Sequence, residues 1–248
     1  MKSIAFYNLK GGVGKTAAAV NIAYLAAKDG IPTLLWDMDP QGSTSWYFRH
    51  TPDRNFKLSH LLKKKYKLGK MIEKTDFPRL DIIPSGLSIR NADIDFDSHG
   101  KSRTLQFWLD SLSKTYGLVV FDCAPNISNF SESLFNAIDL LYVPMIPSHL
   151  SMQTYEKISC FFDESGIKAK KLRPFFSLVD RRKSLHREFL ANPPIKLRKQ
   201  LSGFIPYASH IEQMGTHRKP VFEFAPRSAG ALAYRLLWHE EIKNQLKL

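Results

Sequence analysis

Ser3-Ile4-Ala5-Phe6-Tyr7-Asn8-Leu9-Lys10-Gly11-Gly12-Val13-Gly14-Lys15-Thr16 is the stretch that decides the fold. Its first half is a short apolar run, read as a buried strand. Its second half sets three glycines around a Gly-Lys-Thr ending, and small or apolar residues at helical spacing follow as far as Lys28. A strand, a glycine turn and a helix in that order make a phosphate-binding loop. Gly11, Gly12 and Gly14 let backbone N–H groups turn inward, Lys15 meets the β- and γ-phosphates, and the Thr16 hydroxyl serves Mg²⁺. The helix starting near Lys15 adds the partial positive charge of its N-terminus. The common loop carries glycine five positions before its final Gly-Lys pair. Leu9 stands there instead, and a second lysine, Lys10, precedes the glycines.

Outward from the loop, Asp29-Gly30 stops the helix, and short apolar runs recur at Pro32–Trp36, Leu80–Pro84, Gly117–Phe121, Leu140–Pro144 and Pro174–Val179. Helix-length segments separate them, including a predicted helix over Leu105–Tyr116. This is the pattern of a parallel sheet covered on both faces. The expected fold is therefore α/β: a single doubly wound, mostly parallel sheet with helices on both faces, read as one domain over residues 1–248. Asp37, Asp39, Asp122 and Asp180 follow the C-terminal ends of strands, the edge where open α/β sheets bind ligands. Asp122, after Leu118-Val119-Val120-Phe121, reads as a Walker B carboxylate that holds Mg²⁺ through water. Asp39 is placed to sit near the γ-phosphate and orient the attacking water. Asp37 reads equally well as a turn or cap residue.

Hydrophobic residues make up 44% of the chain, an ordinary globular share, and no run of eighteen apolar residues marks a membrane span. Met1-Lys2-Ser3 leads straight into the first strand without a signal-peptide pattern, so a cytoplasmic location is expected. Cys123 and Cys160 are too few for a disulfide framework, lack metal-ligand spacing, and read as small buried hydrophobes. Lys and Arg number 36 against 23 Asp and Glu, a formal charge of +13. A pI near 9.7 points to a polyanionic partner, nucleic acid first. The excess is greatest from Lys168 to Lys199, whereas Lys63-Lys64-Lys65-Tyr66-Lys67 reads as a solvated helix face.

The loop, together with Asp37-Met38-Asp39-Pro40-Gln41-Gly42 and Leu118–Pro125, resembles the ParA/MinD family of deviant-Walker P-loop ATPases. Asp180-Arg181-Arg182 and Ala225–Ala231 with Tyr234-Arg235 extend the likeness over nearly the whole chain. Asp-Pro-Gln-Gly after the second strand brings it nearest to the small ParA-type partition and positioning ATPases. The resemblance implies a homodimer sandwiching two ATP molecules. Lys10 would cross to the partner's phosphates, Lys15 would hold the phosphates of its own subunit, and Asp39 would position water; these three are the catalytic candidates. The nucleotide-binding candidates are Lys10, Gly11, Gly12, Val13, Gly14, Lys15, Thr16 and Ala17, with Pro206 at the adenine. Thr16, Asp39 and Asp122 are the Mg²⁺ candidates.

The resemblance further implies an ATP-bound dimer that binds non-specific DNA and is nucleoid-associated. A ParB-like or other adaptor would stimulate its weak hydrolysis, to partition or position a plasmid, a chromosome or a protein body. Arg181, Arg182, Lys183, Lys196, Arg198, Lys199, Arg218 and Lys219 are the DNA-binding candidates. The chain departs from the family at Ala17-Ala18, where a second Thr is common, and at Tyr207 and His210, where ParA proteins commonly carry arginine. The alternative is a MinD-like membrane-associated ATPase, which would need Trp238, Ile242 and Leu246 free as the apolar face of a C-terminal helix. Glu240 and Glu241 oppose anionic lipid, so no stable membrane association is expected.

Overall fold

The computed structural model describes residues 1–51, 58–62, 67–86, 96, 103–197 and 201–248. Its strands are β1 (Lys2–Phe6), β2 (Thr33–Met38), β3 (Glu73–Lys74), β4 (Leu80–Ile83), β5 (Leu118–Cys123), β6 (Leu140–Met145), β7 (Leu172–Val179) and β8 (Phe204–Pro206). They form one sheet in the order β3-β4-β2-β5-β1-β6-β7-β8. Every pairing is parallel except the short antiparallel β3–β4 edge. The two shortest strands were not legible in the sequence. Ile205-Pro206 lies within β8, where the ladder from β7 supplies its pairing.

Neighbouring residues along each central strand serve opposite layers, as strand geometry requires. Ile4 and Phe6 of β1, and Leu118 and Val120 of β5, face helix α1 (Lys15–Lys28) and the C-terminal segment. Ala5, Val119 and Phe121 face the helices Thr104–Leu112, Asn129–Ala137 and His149–Glu164. The predicted helix over Leu105–Tyr116 is thus confirmed but ends earlier, at Leu112.

Helix α1 is buried nearly all round, and its alanines let it lie close on the sheet. Its C-terminal end is tied to the C-terminal segment by Asp29, whose Oδ2 accepts from Trp238 Nε1 at 3.0 Å and Lys243 Nζ at 2.7 Å. Trp238 and Ile242 are fully buried and Leu246 nearly so. The face that the membrane alternative requires is therefore packed into the core.

The cysteine expectation is half right. Cys123 is buried, but Cys160 is exposed and its thiol donates to Glu164 Oε1 one helical turn on. The basic cluster at 63–66, and the DNA-binding candidates Arg198 and Lys199, lie outside the described residues.

Candidate functional site

Residues 7–14 join β1 to α1, and the loop's conformation explains its glycines. Gly12 and Gly14 have φ of 70° and 91°, in the left-handed region that side chains with a Cβ avoid. Around Gly11 and Gly12 nothing lies within 4 Å of where a Cβ would be, leaving room for a ligand against the backbone. At Gly14 a Cβ would meet Ser177 Oγ of β7 at 2.8 Å, so glycine is also what lets the loop sit on the sheet.

The loop is braced from within. Asn8 Oδ1 accepts from Lys10 N at 2.9 Å, while Asn8 Nδ2 donates to Pro144 O at 2.8 Å. Lys15 Nζ donates to Lys10 O at 3.1 Å. Lys10 is thus held at both its backbone groups, and its side chain is exposed.

Lys15 is itself buried, and burial pulls its ammonium below the ordinary lysine range while Asp122 and Asp39 push back. A buried cation closing a glycine loop is arranged to meet an anion.

Two strand-end carboxylates lie side by side, because the β2–β5 register pairs Asp37 with Asp122. Strand alternation turns both toward α1. Each is fully buried. Burial, reinforced by the facing Asp122, pushes Asp37 up to about 7. Burial pushes Asp122 up to about 6, with the Thr44 and Thr16 hydroxyls opposing the shift.

Their hydrogen bonds differ. Asp37 Oδ2 accepts from Ser45 N at 2.8 Å and Ser45 Oγ at 2.7 Å, and its Oδ1 accepts from Asp39 N at 3.1 Å. Asp37 therefore builds the turn that carries Asp39. Asp122 Oδ2 accepts from Thr44 Oγ1 at 2.8 Å, but its Oδ1 is buried with no hydrogen-bond partner. Such an orphaned acceptor, beside Thr16 and Lys15, has the donor chemistry that suits Mg²⁺ or a metal-bound water.

A cavity of about 820 Å³ opens over the loop. Gly11, Gly12, Gly14, Lys15, Thr16, Ala17 and Asp39 all line it, so the structure gathers most of the sequence-predicted site. Val13 instead points into the core, and Lys10 and Pro206 are not among the lining residues.

Tyr47, Asn126, Leu178, Tyr207 and Glu212 line the cavity without having been singled out for it. Thr44 and Ser45 were missed as well. Both sit on helix α2 (Ser43–Tyr47), and the run of hydroxyl residues after Gly42 was the available signal.

The basic candidates divide. Arg182 is forked onto Asp180, with Nε–Oδ1 and Nη2–Oδ2 both 2.9 Å. Arg181 lies over the Phe204 ring at 5.1 Å, and Lys183 is exposed at the start of the next helix. Lys196 pairs with Glu156 at 2.8 Å. Arg218 stacks on exposed Trp46 at 3.9 Å and donates to its carbonyl at 2.8 Å, with Lys219 half-buried beside it. Within the basic stretch Lys171 serves the fold, its Nζ donating to the carbonyls of Phe135, Asn136 and Ile138 at the end of a helix.

An AAA domain family matches residues 1–171, well over half of the chain. The chain belongs to the ParA/MinD family of P-loop ATPases. A similar curated relative is the chromosome-partitioning ATPase Soj of Treponema pallidum, 26% identical over 252 residues that cover 96% of each chain.

Among solved structures, this ParA/MinD-family chain is similar to a Borrelia burgdorferi B31 protein assigned to plasmid partition and bound to AMPPNP. The TM-score there is 0.82 at 21% identity, covering 98% of both chains. It is also similar to the septum site-determining protein MinD of Pyrococcus horikoshii complexed with Mg-ADP, at a TM-score of 0.75 and 20% identity over 99% and 98%. At these identities the structural likeness speaks for the fold. The partition-ATPase relative adds that the family's general role, a ParA-type positioning ATPase, is the setting for this chain.

Proposed function

We propose that this chain is an ATP-dependent dimerisation switch that binds DNA without sequence preference and hydrolyses ATP when an adaptor stimulates it, to partition or position a plasmid, chromosome or protein body. The observation that carries the reading is Lys10. Its backbone is fixed by Asn8 and Lys15 while its side chain is exposed at the rim of the phosphate loop. A second lysine so placed adds little within one subunit. Reaching into a partner's site, it supplies the positive charge that phosphoryl transfer needs, and makes hydrolysis depend on pairing.

In this reading Lys15 holds the β- and γ-phosphates, with the backbone of residues 11–17 around them. Thr16 would ligate Mg²⁺, Asp122 would hold its water shell through the free Oδ1, and Asp39 would orient the attacking water. Mg²⁺ held there would supply positive charge to offset that of the phosphate oxygens. Asp39 is suited to its task because Gln41 N donates to its Oδ1 at 2.9 Å, which sets the carboxylate's direction at the cavity wall. The protein would be cytoplasmic, with the ATP form on the nucleoid. The DNA contact would draw on the exposed residues Arg181 and Lys183, since phosphate binding needs cations that water can reach. Arg182, Lys196 and Arg218 would have to leave existing partners to join.

The test is sizing with a slow-hydrolysing ATP analogue, followed by DNA retention across a salt series. Wild type should dimerise with the analogue and hold DNA at low salt only. Lys10→Ala should bind the analogue yet stay monomeric, and Lys15→Ala should not bind it. A Lys10→Ala protein that dimerises and retains DNA like wild type defeats the switch reading.

A further inference from the structure

Beside the nucleotide cavity lies a second one, of about 680 Å³. The two share Pro40, Gln41, Ser43 and Tyr47, so the turn around α2 is the partition between them. Arg49 and His50, which follow α2, line the second cavity. So do Gly215 and Arg218, from the short helix Met214–His217 and its end. No Asp or Glu is among the described residues that line it.

Two arginines tie these walls together. Arg49 Nη2 donates to His217 O at 3.3 Å, and Arg218 Nε donates to Trp46 O at 2.8 Å. Each thus holds the helix that the other follows. Arg218 also lies 3.9 Å over the Trp46 ring. Both arginines have positive φ, 61° and 50°, in the region that favours glycine. Arginine kept in that conformation at two facing turns points to a use for the side chain.

A guanidinium has five N–H donors, so one bond to a carbonyl leaves most of them available. Arg49 has a further contact with Asp76 at 3.7 Å, but that side chain is 79% exposed and water screens the pair. Arg218 is in none of the described ion pairs. Two guanidiniums brought to one cavity from two helices suit an anion with more oxygens than a carboxylate. A phosphate monoester has three free oxygens and close to two negative charges. Ser43 and Thr51 add hydroxyls to the lining, and Trp46 and Tyr47 add ring surface. The volume lies within the range of about 300–1,000 Å³ for small organic ligands, which leaves room for what the phosphate is attached to.

We propose that Arg49 and Arg218 form a binding site for a small phosphate monoester, separate from the phosphate loop. Neither arginine lines the nucleotide cavity, so the site stands apart from the nucleotide reading.

Tryptophan emission reads this site, because Trp46 is 55% exposed while Trp36, Trp108 and Trp238 are buried. The full chain, with Mg-ADP present to occupy the phosphate loop, is titrated with glucose 6-phosphate and with inorganic phosphate. Each should change the emission saturably, and Trp46→Phe should remove the change. Glucose, and sodium chloride at matched ionic strength, should leave it flat. Arg49→Gln and Arg218→Gln should each raise the half-saturating concentration about tenfold or more, since each removes a charge-assisted pair. Arg218→Lys should lie between, keeping the charge and losing the fork. The two arginines follow different helices, so a folding defect in one variant leaves the other to decide. Several results overturn the proposal: no saturable change with either phosphate, a change that survives in Trp46→Phe, glutamine variants that both titrate like wild type, or a signal reproduced by chloride. A change with duplex DNA and none with either small phosphate would make these arginines contacts of a nucleic-acid backbone, and likewise overturns it.

Discussion

Thr44 donates its hydroxyl to Asp122 Oδ2 at 2.8 Å, joining α2 to the end of β5 across 78 positions of sequence. Ser45, the next residue, is bound by Asp37 and in turn accepts from Ser85 N at 2.8 Å. One helical turn therefore reads both buried carboxylates. Tyr47 on the same turn lines the cavity, and Trp46 carries Arg218 on its outer side. Asp39 reaches the site on the loop that this turn anchors.

Thr44→Val keeps the shape and removes the donor. It leaves Asp122 with neither oxygen paired, which should cost about 1–3 kcal/mol in urea unfolding. Magnesium-dependent nucleotide binding should weaken with it, because the carboxylate loses its orientation. Thr44→Ser should recover most of both. Unfolding and binding curves for Thr44→Val that match wild type would show that the hydrogen bond carries neither role.

The carboxylate pair sets a pH dependence. Asp37 and Asp122 are raised in the folded protein to about 7 and about 6, from 3.8. Between these values the folded state binds more protons than the unfolded chain, so their contribution to stability is full below about pH 4 and is lost as pH rises toward 7. His186, lowered by burial, acts in the opposite sense. The measure is therefore a difference. Without metal or nucleotide, Asp37→Asn should show a smaller gain in Tm than wild type on going from pH 8 to pH 5.5. Parallel Tm profiles for the two proteins would contradict the raised pair.

Gly14 and Gly12 separate two reasons for glycine. Both have positive φ, but only at Gly14 would a Cβ collide, at 2.8 Å from Ser177 Oγ. Gly12→Ala should cost about 1–2 kcal/mol for conformation alone. Gly14→Ala should cost more, and Gly14→Ala combined with Ser177→Ala should recover the excess. Equal destabilisation by the two single substitutions, read from thermal melts, would show that the close approach does not matter.

The C-terminal segment should behave as core. Trp238 is fully buried and its Nε1 donates to Asp29 at 3.0 Å. Trp238→Ala should lower stability by about 3–5 kcal/mol. Wild type with ATP should stay in the supernatant when sedimented with anionic liposomes, since Trp238, Ile242 and Leu246 are not free to insert. Strong pelleting without DNA would revive the MinD-like alternative.

The sequence by itself determined the phosphate loop, the central strands and the carboxylates at their ends. Each of these is local: glycines bought conformational freedom where the chain turns, apolar runs marked strands buried on both sides, and aspartates marked where strands stop. Lys15, which closes the loop and lines the cavity, was legible for the same reason. Tertiary structure alone decided what depends on pairing distant segments. The β2–β5 register set Asp37 against Asp122 and so raised both, and packing brought Thr44 to Asp122. It put Tyr207 and Glu212 opposite the loop, and turned Trp238 inward. It also paired Arg182 and Lys196 with acidic partners, where composition shows only charge. The physical reason is range. Turn geometry and hydrophobic period act over a few residues and are written in order, whereas burial, charge coupling and cavity shape arise only when distant residues share one space.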